Sequence, residues 1–122
     1  MRVLKFRAWD GLRMTTSGIM FSTSTGQVFS AASMPIMQYT GLLDKNGKEL
    51  YDGDVVAEKY LGKGWDYESV NREVKWGSYD DGEYVSDVQC WMIGHRSLSD
   101  SVDNKEWSIE IIGNIYESPT AL

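Results

Sequence analysis

Short runs in which apolar and polar residues alternate dominate this sequence, and they restrict it to strands more tightly than any other feature. Across residues 4–8, Leu4, Phe6 and Ala8 are separated by Lys5 and Arg7, the period of two that leaves one face of a strand in water. A first strand is expected over residues 3–9. The period returns over residues 70–76, where Val70, Val74 and Trp76 share a face with Arg72 as the exception, and over residues 107–111, where Ser108 and Glu110 separate Trp107, Ile109 and Ile111. Residues 85–93 carry Val88, Cys90 and Met92 on one side and Trp91 and Ile93 on the other, so both faces are expected to be covered. The Val-rich residues 54–60 alternate only in part; they predict a strand without naming its buried face. No segment of eleven or more residues carries an apolar stripe at helical spacing, which predicts an all-β barrel or sandwich with little helix.

Turn chemistry divides these runs. Asp10-Gly11 predicts a reversal into a return strand near residues 12–15, because glycine adopts the positive φ that tight hairpins need. Two short strands are expected around residues 18–21 and 27–29, and an extended segment over residues 37–40 that stops at Gly41. Asp44-Lys45-Asn46-Gly47 is the strongest turn signal, and Asp52-Gly53 supplies another. Residues 94–105, rich in Ser and Asp, read as a surface loop with at most one helical turn. The last strand is expected to end near Gly113-Asn114, with Ile115 and Tyr116 as a possible extension. A length of 122 residues fits one domain over 1–122, made of an N-terminal β section (1–36) and a barrel-like core (37–122).

Such a chain can bury roughly two-thirds of the surface that its unfolded form exposes, so it needs no metal or disulfide to hold it. The single cysteine, Cys90, cannot form an internal disulfide, which fits a reducing, cytoplasmic setting. The opening ten residues lack the apolar run of a signal peptide and are expected to join the fold. Nothing approaches the roughly 18 consecutive apolar residues of a membrane span. Twelve Lys and Arg against eighteen Asp and Glu give a net charge of −6, which disfavours phosphate backbones unless the cations gather on one face.

Asp44, Asn46, Glu49, Asp52 and Asp54 crowd oxygen donors into eleven residues, but their spacing does not fit a calcium loop. A loop starting at Asp44 would have Lys48 at its fifth position, Glu49 where glycine is required and Val55 where the bidentate Glu belongs. These residues read instead as turn-forming and strand-bounding. His95 is the only histidine, and no pair of Cys or His shows zinc-ligand spacing. Cys90 and His95 could in principle form a nucleophile and base, but a cysteine in the middle of a strand pattern is more often core than catalyst, and no phosphate-binding glycine loop is present. No cofactor or metal is therefore expected. Trp65, Tyr67, Arg72, Trp76 and Tyr79 form the expected interaction surface. With Tyr84, Lys63 and Lys75 nearby they also raise the alternative of base stacking, which Asp66, Glu68 and Glu73 would weaken.

Three motifs, taken together and in order, resemble one family. They are Lys5-Phe6-Arg7-Ala8-Trp9-Asp10, the central Met37-Gln38-Tyr39-Thr40-Gly41-Leu42-Leu43-Asp44-Lys45-Asn46-Gly47-Lys48-Glu49-Leu50-Tyr51-Asp52-Gly53-Asp54-Val55-Val56, and the closing Ile112-Gly113-Asn114-Ile115-Tyr116-Glu117. The chain is similar in these to the YopX family of bacteriophage and prophage proteins. That resemblance implies a small, mainly β protein with a barrel-like part resembling SH3-type folds, and it carries over no catalytic residue. Physically, Gly41, Gly47, Gly53 and Gly113 would serve reversals, with Trp9, Tyr39, Tyr51 and Tyr116 packed around them.

The expected function is that of a non-enzymatic phage accessory protein in the bacterial host cytoplasm. It would bind a host or phage protein and could self-associate into a homo-oligomer. The rivals are a barrel that binds single-stranded nucleic acid and, with less support, a metal-dependent hydrolase using Asp44, Glu49, Asp52 and Asp54.

Overall fold

A computed structural model describes residues 5–22, 24–25, 27–30, 34–62, 69–79, 88–94 and 96–117. Alternation and turn residues act first at the N-terminal end. Strands β1 (Phe6–Trp9) and β2 (Met14–Thr15) pair antiparallel about Asp10-Gly11. The Asp10 carboxylate accepts the N–H groups of Arg13 and Leu12, each at 2.8 Å, and these bonds hold its carboxyl below the ordinary value. Strands β3 (Ile19–Phe21) and β4 (Val28–Ser30) form a separate antiparallel pair.

Strand β5 (Ile36–Leu43) returns beside β1, and β6 (Glu49–Tyr51) follows the Asn46-Gly47 turn, giving a four-stranded sheet in the order β2-β1-β5-β6. The remaining strands are β7 (Asp54–Tyr60), β8 (Val70–Tyr79), β9 (Val88–Ile93), β10 (Arg96–Ser97) and β11 (Trp107–Asn114). They form a five-stranded antiparallel sheet in the order β10-β9-β8-β7-β11. This sheet curls into a half-barrel, and one short helix, α1 (Leu98–Asp103), packs against it. The fold is all-β. Among the described residues no helix is long and apolar enough to cross a membrane.

Two turns join the sheets. Lys45 donates its N–H to the Ile109 carbonyl at 2.9 Å, which brings the β5–β6 turn onto β11. At the β6–β7 turn, Asp52 N–H reaches the Gln38 carbonyl and Gly53 N–H reaches the Val74 carbonyl, both at 2.9 Å. Gly53 holds φ at +85°, a conformation that a side chain would strain. The core between the sheets contains Leu50, Val56, Val74, Trp91, Ile93, Leu98 and Ile109. Burial of each large aliphatic side chain contributes about 1.5–3 kcal/mol. Val55 and Val56 are both fully buried, so β7 is covered on its two faces.

Three local expectations are corrected. Gly41 does not end its strand: with φ at +86° it lies inside β5, where the register with β6 shifts, and the strand runs on to Leu43. Residues 94–105 are more than a surface loop. Ser97 caps α1, Leu98 and Ser101 are fully buried, and Val102 packs on the core. Those three positions lie on a helix only six residues long, too short for its stripe to stand out among the polar residues around it. Residues 115–117 form a turn instead of extending β11, and Gly113 lies within that strand at a register shift. Trp9 stacks on Tyr116 with centroids 6.0 Å apart, and Tyr39 packs on Tyr51 at 5.5 Å.

Candidate binding cleft

Register between β1 and β5 sets one wall of a cleft. Phe6 lies opposite Gln38 and Ala8 opposite Ile36, so these four residues share one face of the sheet. Ala8 is fully buried, whereas Phe6, Ile36 and Gln38 line a cleft of about 510 Å³. Trp76 of β8 and Trp91 of β9 also line it, and Asp52 contributes a carboxylate. The two tryptophans are direct cross-strand partners, packed edge to face with centroids 5.1 Å apart. Trp91 is 9% exposed and anchored in the core, while Trp76 is 50% exposed. Beyond this aromatic ridge lies a second hollow of about 200 Å³, with Leu42, Gln89 and Cys90 among its walls.

Asp52 is the charged group among the described residues that line the cleft. Burial pushes its carboxyl above the ordinary value; Glu73 adds to the shift, the Arg7 guanidinium opposes it, and Asp54 raises it further. Among the described residues no cation forms an ion pair with it. A carboxyl raised in this way binds more protons folded than unfolded, so stability falls as pH rises between the two values. Asp52→Asn is therefore expected to unfold at a higher temperature than the parent near pH 7. The gain should close as pH falls through the raised value to below the ordinary carboxylate range. Thermal melts at stepped pH would show this, and a midpoint difference that does not change with pH would contradict it.

The other acidic residues of the central motif have separate duties. Asp44 Oδ1 accepts the N–H groups of Asn46 and Lys48, each at 2.9 Å, and its Oδ2 accepts that of Ile111 at 3.0 Å. Glu49 pairs with Lys5 at 2.6 Å on the surface. Asp54 Oδ1 lies 2.6 Å from the Arg7 guanidinium, and Oδ2 accepts the Tyr51 N–H at 2.8 Å. Among the described residues no three His, Cys, Asp or Glu side chains form a group able to hold a metal ion.

Of the expected interaction surface, Trp76 alone is seen at this cleft. Trp65 and Tyr67 lie outside the described residues, as do Lys63, Tyr84 and His95. Arg72 shares the Trp76 face, beyond Val74, and its Nε approaches Glu58 Oε1 at 3.6 Å. Tyr79, at an odd position of β8, falls on the opposite face, and so does Lys75, which pairs with Glu73 at 3.6 Å. Phe6, Ile36, Gln38 and Trp91 carry no site signal in the sequence, and Asp52 stands out there only among the carboxylates of the hydrolase alternative. Alternation marks an apolar face at Phe6 and leaves Trp91 on one of two covered faces, but it does not reveal that the two line one cleft.

A second charged group was also not foreseen. Glu58, 2% exposed, points inward beside Arg72 and Arg96, whose Nη1 lies 3.8 Å from Oε2. The Arg96 guanidinium covers the Trp107 ring at 3.8 Å from its centroid. The position of Arg72 on an apolar face is explained by this diagonal neighbour, since Val56 is its direct partner and Glu58 lies two residues further along β7.

Comparison with known proteins agrees with this architecture. The crystal structure of protein EF1440 from Enterococcus faecalis matches with a TM-score of 0.54 and 24% identity, covering 98% of each chain. The crystal structure of YopX from Bacillus subtilis matches with a TM-score of 0.55 and 21% identity, covering 100% of this chain and 99% of that one. At these identities the likeness establishes a shared fold. No curated protein matches the chain. The family model described as YopX protein matches residues 13–122, a span that holds the central and closing motifs and begins just after the opening one. With the match extending over nearly the whole length, the chain belongs to the YopX family.

Proposed function

We propose that this is a non-enzymatic accessory protein of a bacteriophage or prophage, which acts in the bacterial cytoplasm by binding another protein through the cleft at Trp76. The observation that carries this reading is the half-exposed Trp76, held edge to face against the buried Trp91 and lining one cleft with Phe6 and Ile36. A rigid aromatic beside a concave apolar wall is the kind of anchor on which protein interfaces concentrate their binding energy. A non-enzymatic role is supported by the acidic residues of the central motif. Asp44, Glu49 and Asp54 are taken up by backbone amides and by cations of the fold. Single-stranded nucleic acid fits less well, because Arg72 and Lys75 already face carboxylates and Asp52 would repel a phosphate.

The test compares the tagged parent chain with Trp76→Ala as bait in lysate of phage-carrying bacteria. Truncating an interface anchor of this kind costs about 2 kcal/mol or more, so recovery of specific partners is expected to drop at least about tenfold. The thermal midpoint should fall less than for a fully buried tryptophan, since Trp76 is half exposed. The same proteins captured equally by both baits would remove the reading.

A further inference from the structure

We propose that the cleft takes an arginine side chain of the partner, its guanidinium lying against Trp76 and facing the Asp52 carboxylate. This rests on the protein-binding role proposed above and names the chemistry that the partner must present. The argument begins with a pattern that recurs inside the fold. Arg7 lies over the Tyr51 ring, 4.5 Å from its centroid, while its guanidinium pairs with Asp54 at 2.6 Å. Arg96 lies over Trp107 at 3.8 Å and faces Glu58 at 3.8 Å. Each set joins a guanidinium, an aromatic face and a carboxylate withdrawn from water.

The cleft holds an indole and a carboxylate of the same kind among its walls, Trp76 and Asp52. No described arginine or lysine forms an ion pair with Asp52, and the nearby Arg7 is committed to Asp54. Charge favours the same ligand. The chain carries a net charge of −6, and Glu73 acts on Asp52 with the same sign. A planar guanidinium can stack on an indole and bond a carboxylate at once, which a lysine ammonium does less well. Burial favours the neutral form of Asp52, and an incoming cation would reverse that shift.

The experiment titrates the full chain against fluorescein-labelled nonapeptide pools of Gly, Ser, Thr and Val whose central residue is arginine, lysine or citrulline, read by fluorescence polarisation. Citrulline keeps the shape of arginine without its charge. The arginine pool is expected to bind at least about tenfold more tightly than the citrulline pool, the range of a charge-assisted hydrogen bond with a cation–π contact. Asp52→Asn should reduce that preference to less than about threefold without lowering the thermal midpoint. Equal binding of the arginine and citrulline pools, or of the arginine and lysine pools, would overturn the inference, as would a preference that survives in Asp52→Asn. If all pools bind alike and Trp76→Ala weakens them together, the protein-binding reading stands and the arginine assignment fails. If no pool binds and Trp76→Ala captures the same partners as the parent, both fail. A concentration-dependent dimer abolished by Trp76→Ala would assign the cleft to a second copy of the chain and overturn the inference.

Discussion

Replacing Asp54 with alanine is expected to cost about 3–5 kcal/mol of folding stability, the range found when one member of a buried ion pair is removed. Asp54 is 2% exposed, and its side chain bonds the Arg7 guanidinium through one oxygen and the Tyr51 N–H through the other. Without it, Arg7 retains a buried charge over the Tyr51 ring and a backbone donor loses its acceptor. Burial pushes the Asp54 carboxyl above its ordinary value, outweighing the downward pull of the Tyr51 N–H and of Arg7. Keeping the pair ionised therefore opposes folding, and the large loss comes from separating the partners. Joint replacement by apolar residues, Arg7→Met with Asp54→Leu, is expected to recover more than half of the loss. Urea unfolding of the single and double variants would measure the coupling. Additive single losses would show that the pair does not act as a unit.

Asp44→Ala is expected to cost about 3 kcal/mol, because one carboxylate serves three backbone donors and each orphaned donor costs about 1 kcal/mol or more. Two of those donors, Asn46 and Lys48, shape the β5–β6 turn, and the third, Ile111, belongs to β11. Asp44→Asn separates the two duties. Its amide oxygen can still accept from Asn46 and Lys48, but its NH₂ cannot accept from Ile111, so the expected loss falls to about 1–2 kcal/mol. Hydrogen exchange should report faster exchange at Ile111 in both variants and at Asn46 only in Asp44→Ala. Protection of Ile111 retained in Asp44→Asn would show that the turn does not depend on that bond to hold β11.

Much of this fold was legible locally. The alternation at Phe6 and Ala8, at Val74 and Trp76, and at Trp107, Ile109 and Ile111 marks strands and their inward sides, since a period of two is a property of a few neighbouring residues. Asp10-Gly11, Asn46-Gly47 and Asp52-Gly53 mark reversals for the same reason, with each glycine at positive φ. Gly41 was misread because a glycine at a bulge carries the same local signal as one at a strand end. Helix α1 was underestimated because its buried stripe covers a turn and a half, with Leu98 and Ser101 hidden by elements remote in sequence.

Pattern within single segments thus settled the strand class, the turn positions and the inward residues of most strands. Tertiary pairing alone decided which strands face each other, that β1 joins β5 across the β3–β4 pair, that Glu58 meets Arg72 and Arg96, and that Asp52 shares a cleft with Phe6 and Trp76. The reason is physical. Backbone sterics and side-chain periodicity act over two to four residues, whereas cleft walls and buried charges come from segments tens of residues apart. Their juxtaposition is chosen by the free energy of the whole packed core.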